Sequence, residues 1–410
     1  MSVLTPELLE SLEASVRPVD MACALPADLY TSDEFYAFEK DAVFGHDWLC
    51  VGRTDEIPDP GDFMTITLAD EPLLASRHKD GSVRVLSAVC RHRGMLVAEG
   101  RGHVTSFLCP YHHWVYGTDG SLLGCPEMDR AVGFDKAEHC LPSLPVEIWN
   151  GFVFTSLDPA PAPLAPTLAS ADPILRNFDL DRAVTLDGGV LDRLLWNWKV
   201  MFENFNDPYH ASRLHGHLQD FAPSHMNDFP QWDDSQNVVL RIQHFTQIDG
   251  SFNPTMRCLL PVFPGLSDAE RRRGSFMLIP PTLAIAVVPD EVAYFIIRPQ
   301  SAGEIGITIG YCFDATALRE PLFNLLFEQA KAGVNNFNVQ DVHVDEMVQR
   351  GLRSRFAPRG RYSWQEETLS RFNRWLVRRY RQYWPEARTA PALSGAAASI
   401  ARRQHQQGEV

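Results

Sequence analysis

Two mixed pairs of cysteine and histidine, close together in the first third of the chain, constrain this sequence more than any other feature. The first pair is Cys90 and His92, and the second pair is Cys109 and His112, with sixteen residues between them. Glycine and proline accompany the pairs, so both are predicted to lie in turns. Apolar segments over 83–89 and 104–108 lead into these turns and are predicted to be strands.

Two thiolates and two imidazoles are the ligands of few metal centres. In a Rieske [2Fe–2S] cluster, two cysteines bind one iron and two histidines bind the other. A structural Cys₂His₂ zinc site is the alternative, but zinc fingers usually supply a CxxC pair and a later HxxxH pair. The ligand types and their spacing therefore predict a [2Fe–2S] cluster held by Cys90, His92, Cys109 and His112.

The size and charge of the chain exclude several classes of protein. Its 410 residues, 45% of them hydrophobic, leave room for two packed domains. A net charge of −15 disfavours a nucleic-acid partner, which requires a basic face. Eight cysteines in so long a chain do not indicate a disulfide framework, and no segment resembles a signal peptide or a membrane span. We therefore expect a cytoplasmic protein without a membrane or nucleic-acid partner.

Turn and periodicity signals divide the chain into four parts and predict an α+β protein. Residues 1–44 form a helical segment, which ends with a helix over 32–44 and packs on the second domain. Residues 45–158 alternate as short strands and predict an antiparallel all-β domain around the cysteine–histidine turns. A proline-rich linker follows, and 168–385 form the second domain. The Ala-, Gln- and Arg-rich tail over 386–410 is expected to be disordered.

The second domain is predicted to hold a large antiparallel sheet flanked by helices. Its opening segment, 196–217, is rich in helix formers and aromatic residues. Strands are predicted in the stretch 238–313, and two helical segments, over 318–352 and 364–383, close the domain.

Asp207, His210 and His215 in the opening segment of this domain indicate a second metal site. Histidines five residues apart do not share a face of a regular α-helix, but they meet across a wide turn or a π-bulge. Asp207 and His210 share a helical face. Two histidines and a carboxylate form the facial triad that leaves positions open for O₂ on Fe(II). The alternative is that these are ordinary polar residues on a partly buried helix.

The two constellations together resemble the large (alpha) subunit of Rieske non-haem iron oxygenases, the terminal components of ring-hydroxylating or demethylating systems. The resemblance extends over roughly 25–383. It rests on the cluster motif, the run Asn-Trp-Lys…Glu-Asn-Phe…Asp-Pro-Tyr-His…His and the later Gln-Asp…Gln-Arg-Gly-Leu over 340–352. It implies a helix-grip-like catalytic domain, one [2Fe–2S] cluster and one Fe(II) per chain.

The resemblance also assigns roles to individual residues. His210 and His215 would bind the mononuclear iron, with Asp341 as the carboxylate ligand. Asp207 would be the catalytic bridging aspartate, which accepts a hydrogen bond from His112 of the partner subunit. Three alternatives remain: Asp207 could complete the triad itself, and Asp345 or Glu346 could replace Asp341.

The family pattern further implies partners and a mechanism. Electrons would pass from NAD(P)H through a separate reductase, with or without a ferredoxin, to the cluster and then to Fe(II), where O₂ is activated. No dinucleotide fingerprint is visible in this chain, which agrees with a separate reductase. A head-to-tail homotrimer, preferred over a complex with small beta subunits, would bring the cluster of one chain to the iron of the next. Arg91, Arg93 and Arg101 beside the cluster could receive an acidic electron donor.

The sequence says less about the substrate. We expect hydroxylation or demethylation of a small organic compound, as in the catabolism of aromatic hydrocarbons, with Met201, Phe202, Asn204 and Phe205 in or beside the pocket. A betaine-, carnitine- or choline-like quaternary ammonium is the alternative, and it would require an aromatic cage. Candidates for that cage are Trp198, Trp232 and Phe252. A Rieske electron carrier and a zinc-stabilised binding protein are the non-enzymatic alternatives.

Two residues beside the second cluster pair complete the prediction. Where the family commonly has glycine after the second cluster histidine, this chain has His113, which we expect to point to solvent. Trp114 is expected to pack beneath the cluster loop.

Overall fold

The computed structural model describes residues 2–385. The predicted disordered tail over 386–410 lies outside the described residues. Of the helices in the described part of the chain, none combines the length and the apolar character required to cross a bilayer.

The N-terminal segment is helical and packs on the last helix of the described residues. It contains α1 (Pro6–Ser11), α2 (Asp28–Thr31) and α3 (Asp33–Glu39), and α3 continues as a π-helical turn over Lys40–Phe44. The hydroxyl of Ser32 accepts the Phe35 amide and so caps α3, as its sequence predicts. The Phe35 ring meets Tyr380 edge to face at 5.1 Å.

The following domain is all-β and antiparallel. Eleven strands over 48–156 form three small sheets, with orders β1-β11-β10, β5-β2-β3-β4-β9 and β6-β7-β8. The strands are β1 Trp48–Arg53, β2 Asp62–Leu68, β3 Glu71–Arg77, β4 Val83–Ser87, β5 Arg101–His103, β6 Phe107–Leu108, β7 Val115–Tyr116, β8 Leu122–Gly124, β9 Ser143–Leu144, β10 Val146–Trp149 and β11 Phe152–Ser156. The two cysteine–histidine turns join β4 to β5 and β6 to β7.

A seven-stranded antiparallel sheet forms the centre of the second domain, in the order β12-β18-β17-β16-β15-β14-β13. Its strands are β12 Val184–Leu194, β13 Asn227–Asp228, β14 Val239–His244, β15 Arg273–Ile279, β16 Leu283–Val288, β17 Glu291–Ser301 and β18 Glu304–Phe313. The helices of this domain are α4 Asp172–Leu175, α5 Trp198–Phe205, α6 Pro208–Ala211, α7 Phe323–Leu352 and α8 Glu367–Tyr383.

Both faces of this sheet are covered, which explains why its central strands are apolar almost throughout. On one face, residues of α5, α7 and α8 join the core. On the other face, Phe152 and Phe154 of the first domain pack with linker residues such as Leu164 and Leu168. The proline-rich linker is therefore part of the core rather than a loose tether.

The sequence did not predict strand β12. It pairs with β18 along one edge of the sheet, and most of its side chains are partly or fully exposed. It also contains Gly188 and Gly189, which weaken the strand signal. An edge strand that buries little apolar surface does not show the alternation of apolar and polar residues by which strands are predicted.

Candidate functional site

The two cysteine–histidine turns are short loops closed by backbone hydrogen bonds. The Cys90 amide donates to Met95 O at 2.8 Å, and the Cys109 amide donates to Trp114 O at 2.8 Å. Both cysteines are buried, with 3% and 1% of their surface exposed. His92 is exposed and His112 is partly exposed. The loops thus direct the thiols inward and the imidazoles towards the surface.

The two imidazoles face each other through the same kind of nitrogen. Nδ1 of His92 lies 3.1 Å from Nδ1 of His112, so both atoms are placed to bind one ion between them. Burial, together with the neighbouring His92, lowers the pKa of His112 and favours the neutral imidazole that a metal requires. The donor set therefore fits a cluster with one thiolate-bound and one imidazole-bound iron.

Two aromatic residues support this arrangement from below. Trp114 is 2% exposed and stacks on the His92 ring at 4.8 Å between centroids, which confirms its predicted position beneath the loop. The Tyr116 hydroxyl lies 3.3 Å from Cys90 Sγ and accepts the Arg91 amide at 3.0 Å. Hydrogen bonds to a cluster sulfur are one means by which a protein sets a reduction potential.

His113 is exposed, as expected, and its backbone has a φ of 56°. This left-handed conformation suits glycine, which explains why glycine is common at the position. The side chain therefore occupies solvent, while the backbone keeps the conformation of the loop.

The arginines near the cluster do not all form a free basic patch. Arg101 is paired with Glu56 at 2.7 Å. Arg91 and Arg93 are exposed, and the Arg93 guanidinium lies over the Tyr111 ring at 5.2 Å. The basic surface beside the cluster is thus smaller than the sequence indicated.

In the second domain, one carboxylate starts the short helix that carries the first histidine. Asp207 is the N-cap of α6, and its side chain accepts the Tyr209 and His210 amides. Pro208 at the first helical position favours this start. The helix ends at Ala211, and a turn carries the chain to His215. The wide turn, one of the two predicted solutions, brings the histidines together.

His210, His215 and Asp341 converge on one point. Oδ1 of Asp341 lies 3.0 Å from Nε2 of His215 and 3.7 Å from Nε2 of His210. One donor atom from each residue lies within 4.8 Å of the others, and no other such group of three or more is found among residues 2–385. Two imidazoles and a carboxylate in this arrangement fit a facial triad for Fe(II).

The alternative carboxylates occupy other positions. Asp207 contacts His210 through Nδ1, at 3.2 Å from Oδ2, on the opposite side of the ring from Asp341. Asp345 is 3% exposed, and burial followed by the charge of Asp341 raises its pKa well above the usual range. A raised pKa favours the neutral carboxyl, which is a weaker metal ligand than a carboxylate. Glu346 does not belong to the group of converging donors.

Gln340 fixes the second histidine, a role that was not predicted from the sequence. Its Oε1 lies 2.9 Å from Nδ1 of His215 and so keeps the proton on that nitrogen, which leaves Nε2 for a metal. Burial lowers the pKa of His215, but the hydrogen bond and charge of Asp341 outweigh it, with a contribution from Gln340, and the net shift is upward. Since 125 residues separate Gln340 from His215, no local pattern reveals the contact.

A cavity between the sheet and helices α5 to α7 opens onto these three residues. Its apolar lining includes Phe205, Phe252, Phe276, Phe295, Ile307 and Ile309. Of the predicted pocket residues, Met201, Asn204 and Phe205 line it.

Three aromatic predictions are wrong. Phe202 does not line the cavity: it is fully buried, and its ring packs between those of Trp198 and Phe372. Trp198 and Trp232 also lie outside the cavity, and the Trp198 indole donates to Glu39 instead. Of the proposed cage, Phe252 alone belongs to the cavity lining.

Two family models match the chain. Residues 47–145 match the Rieske [2Fe-2S] domain, and residues 175–382 match the ring hydroxylating alpha subunit (catalytic domain). The second match extends over about half of the chain.

Curated relatives act on different substrates. The glycine betaine monooxygenase oxygenase subunit of Chromohalobacter salexigens is 32% identical over 52% of this chain and 46% of the relative. The carnitine monooxygenase oxygenase subunit of Acinetobacter baumannii is 27% identical over 82% of this chain and 87% of the relative. The large oxygenase component of salicylate 5-hydroxylase from Ralstonia sp is 34% identical over 50% and 52%. The match thus spans about half the length of the first of these relatives.

Solved structures share the fold. A quaternary ammonium Rieske monooxygenase superposes with a TM-score of 0.75 at 23% identity, over 90% of this chain and 98% of that chain. Naphthalene 1,2-dioxygenase from Rhodococcus sp. superposes with a TM-score of 0.76 at 21% identity, over 93% of this chain and 100% of that chain.

Proposed function

Because the chain belongs to the family of ring-hydroxylating oxygenase alpha subunits and carries a Rieske domain, we propose that it is the terminal oxygenase of a multicomponent system. The reaction proposed is hydroxylation or oxidative demethylation of a small organic substrate with O₂. One observation carries this proposal: one chain holds both a cluster-type donor set, whose two histidine Nδ1 atoms lie 3.1 Å apart, and a facial triad whose donor atoms lie within 4.8 Å of one another.

The site residues are proposed in three groups. Cys90 and Cys109 would hold one cluster iron, and His92 and His112 the other. His210, His215 and Asp341 would hold the mononuclear iron. When bound, the cluster supplies single electrons and the mononuclear iron activates O₂.

The protein's own contribution is orientation and shielding. Asp207 and Gln340 each engage the Nδ1 atom of a histidine and so direct its Nε2 atom inward. The phenylalanine-lined cavity holds an organic substrate beside the triad and limits the access of water. These interactions hold the site in place before any substrate arrives.

We also infer a cyclic homotrimer, in which the cluster of one chain meets the catalytic domain of the next. Two surface features support it. His112 directs Nδ1 inward, so that its Nε2 faces away from the cluster. The Asp207 side chain is 14% exposed, beside an exposed Tyr209. A hydrogen bond from His112 of the partner subunit to Asp207 would join the two metal centres.

The electron donor is proposed to be a separate NAD(P)H-dependent reductase, with or without a ferredoxin. Exposed Arg91 and Arg93 beside the cluster suit an acidic partner. Mutation of exposed charges of this kind changes association rates and their salt dependence more than the chemistry.

Turnover with a surrogate reductase tests the proposal. The protein loaded with both centres is given NADH, the reductase, ¹⁸O₂ and a panel that includes aromatic acids and quaternary ammonium compounds. The expected result is one product that carries ¹⁸O, or formaldehyde when a methyl group is removed. If no member of the panel is oxidised and no O₂ is consumed, while both centres stay loaded, the proposal fails.

A quaternary-ammonium substrate remains the second candidate, and two observations favour it. Relatives over most of the chain include a carnitine monooxygenase. In addition, Phe205 contacts both Phe276 and Phe295 in the cavity, at 5.8 and 5.4 Å between centroids. Aromatic faces attract such cations. The same panel distinguishes this candidate from an aromatic substrate.

A further inference from the structure

A buried arginine faces the cavity from the sheet side. Arg241 lies in the middle of β14 (Val239–His244) and is 5% exposed. It is one of the residues that line the cavity with His210, His215 and Asp341. The histidines come from the helical side and Arg241 from the sheet, so a ligand in the cavity has both within its walls.

The position of the guanidinium is fixed by two contacts. Its centre lies 3.9 Å from the centroid of Phe276, the residue opposite Arg241 on the neighbouring strand. Nη1 donates to Oδ1 of Asn227 at 2.9 Å. Asn227 in turn donates to Gln243 Oε1 at 2.8 Å, which fixes its orientation. The guanidinium is therefore preorganised rather than mobile.

Arg241 forms no close ion pair with the described residues. No carboxylate among residues 2–385 lies within 4.0 Å of its nitrogens, Asp207 acts on its charge from a greater distance, and its buried Nε has no hydrogen-bond partner among these residues. Burial lowers its pKa to about 9, against the opposing charge of Asp207. A buried, charged and incompletely paired guanidinium is unfavourable unless a ligand completes it.

A glutamate elsewhere in the cavity wall does not supply the missing charge. Glu291 also lines the cavity, is 4% exposed, and has an unpartnered Oε2. Burial and the neighbouring Asp290 raise the pKa of Glu291 to about 8, so it is mostly neutral at pH 7. The net charge on the sheet side of the cavity is thus that of Arg241.

The sheet leaves space beside the guanidinium. Alanines occupy the next two positions across the strands from Phe276, namely Ala286 and Ala293, and both line the cavity. Two methyl side chains in a row of otherwise large residues form a hollow in the sheet wall. A planar carboxylate matches the two-pronged donor geometry of arginine.

We propose that Arg241 binds a carboxylate of the substrate, so that the substrate class is organic acids and zwitterions rather than neutral hydrocarbons or choline-like cations. This inference rests on the proposed function, since it treats the cavity as the substrate site. The carboxylate anchors one end of the molecule on the sheet, and the other end extends towards the histidines. Arg241 is thus a specificity-determining residue.

Binding, measured without turnover, tests the inference. The protein loaded with both centres is titrated anaerobically, by calorimetry, with benzoate against benzamide and with glycine betaine against its amide. Each pair differs in the carboxylate alone. We expect the wild type to bind at least one acid about ten- to a hundredfold more tightly than its amide. A preference within the benzoate pair indicates an aromatic acid as substrate, and a preference within the glycine betaine pair indicates a zwitterion.

Substitutions test whether Arg241 is the residue that makes the protein bind the acid more tightly than its amide. Arg241→Met should abolish it and leave amide binding within about threefold. Arg241→Lys, which keeps the charge but loses the planar fork, should retain a reduced preference. The matched control is Arg298→Met, in the same sheet, where the arginine pairs with Asp192 at 2.8 Å and does not line the cavity. This control should bind as the wild type does.

The outcomes are separable. If the wild type prefers neither acid to its amide, the inference is overturned, whether or not the variants fold. It is also overturned if a folded Arg241→Met protein keeps the preference. If the protein oxidises a substrate with O₂ but does not prefer acids to amides, the inference is wrong and the proposed function stands. If it prefers acids but oxidises no substrate, the inference stands and the proposed function is wrong.

Discussion

Nδ1 of His210 lies 3.2 Å from Oδ2 of Asp207, three residues earlier in the chain. The same carboxylate caps the helix that carries His210, so one side chain both starts the helix and orients its histidine. This contact turns Nε2 of His210 towards Asp341, at 3.7 Å from Oδ1. Asp207 thus orients the His210 imidazole through Nδ1, whereas Asp341 lies on the Nε2 side as the proposed iron ligand. Substitutions at the two carboxylates can test these roles.

Asp207→Asn should keep both metal centres and reduce substrate oxidation by about 10- to 100-fold or more. Asparagine also caps helices, so the fold should survive. Iron content, cluster absorbance and product formation are measured together. Asp233→Asn, in an exposed turn far along the chain, is the matched control. Loss of the mononuclear iron in Asp207→Asn would make Asp207 a ligand instead.

Asp341→Asn and Asp345→Asn should behave differently, although both lie on α7. The first removes a charged donor from the triad, so we expect loss of the mononuclear iron with the cluster intact. The second replaces a buried carboxyl whose pKa is raised by burial and which does not belong to the converging donors, so iron content should not change. Iron and sulfide analysis checks both. Iron retained by Asp341→Asn and lost by Asp345→Asn would exchange their roles.

Glu203→Gln should change how stability depends on pH. Burial raises the pKa of Glu203 to about 7, although a hydrogen bond from Tyr30 and the charge of Lys199 oppose this shift. Because the folded pKa lies above the unfolded value, the carboxyl favours folding below about pH 4.5 and loses that contribution as pH rises through about 7.

Compared with the wild type, Glu203→Gln should therefore gain on the order of 1–2 kcal/mol in unfolding free energy at pH 8 and little at pH 5. Urea unfolding at both pH values measures the difference. Glu10→Gln, at an exposed helical position, is the control. An equal effect at both pH values would contradict the assignment.

Lys199→Met should destabilise the protein by about 3–5 kcal/mol, because it leaves the buried charge of Glu39 without a counterion. Nζ of Lys199 lies 2.9 Å from both carboxylate oxygens of Glu39, and both side chains are fully buried. This pair joins the N-terminal segment to α5. The double variant with Glu39→Gln should recover part of the loss. Equal unfolding free energies for Lys199→Met and the wild type would show that the pair contributes nothing.

The sequence predicted the parts of the site that local patterns encode. The mixed cysteine–histidine pairs and the Asp-Pro-Tyr-His run each place their residues within a few positions of one another, so spacing alone was informative. Asp341 was found by family resemblance, since no local rule connects it to His215, 126 residues earlier.

Contacts that depend on tertiary packing were missed or assigned wrongly. Nothing in the local sequence distinguishes Arg241, because the cavity it faces forms only when the sheet and helices pack. Phe202 and Phe205 look alike in sequence, but α5 turns the first into the core and the second into the cavity. The spacing of aromatic residues in a helix of about two turns does not say which side chains meet solvent, substrate or core.

The most direct test of the account is iron and labile-sulfide analysis of anaerobically purified protein, with EPR spectra before and after exposure of the reduced protein to O₂ and substrate. The account predicts about three irons and two sulfides per chain, and a reduced cluster that is oxidised as product forms. Zinc in place of iron, or a fully loaded protein whose reduced cluster yields no product with any substrate, would contradict it.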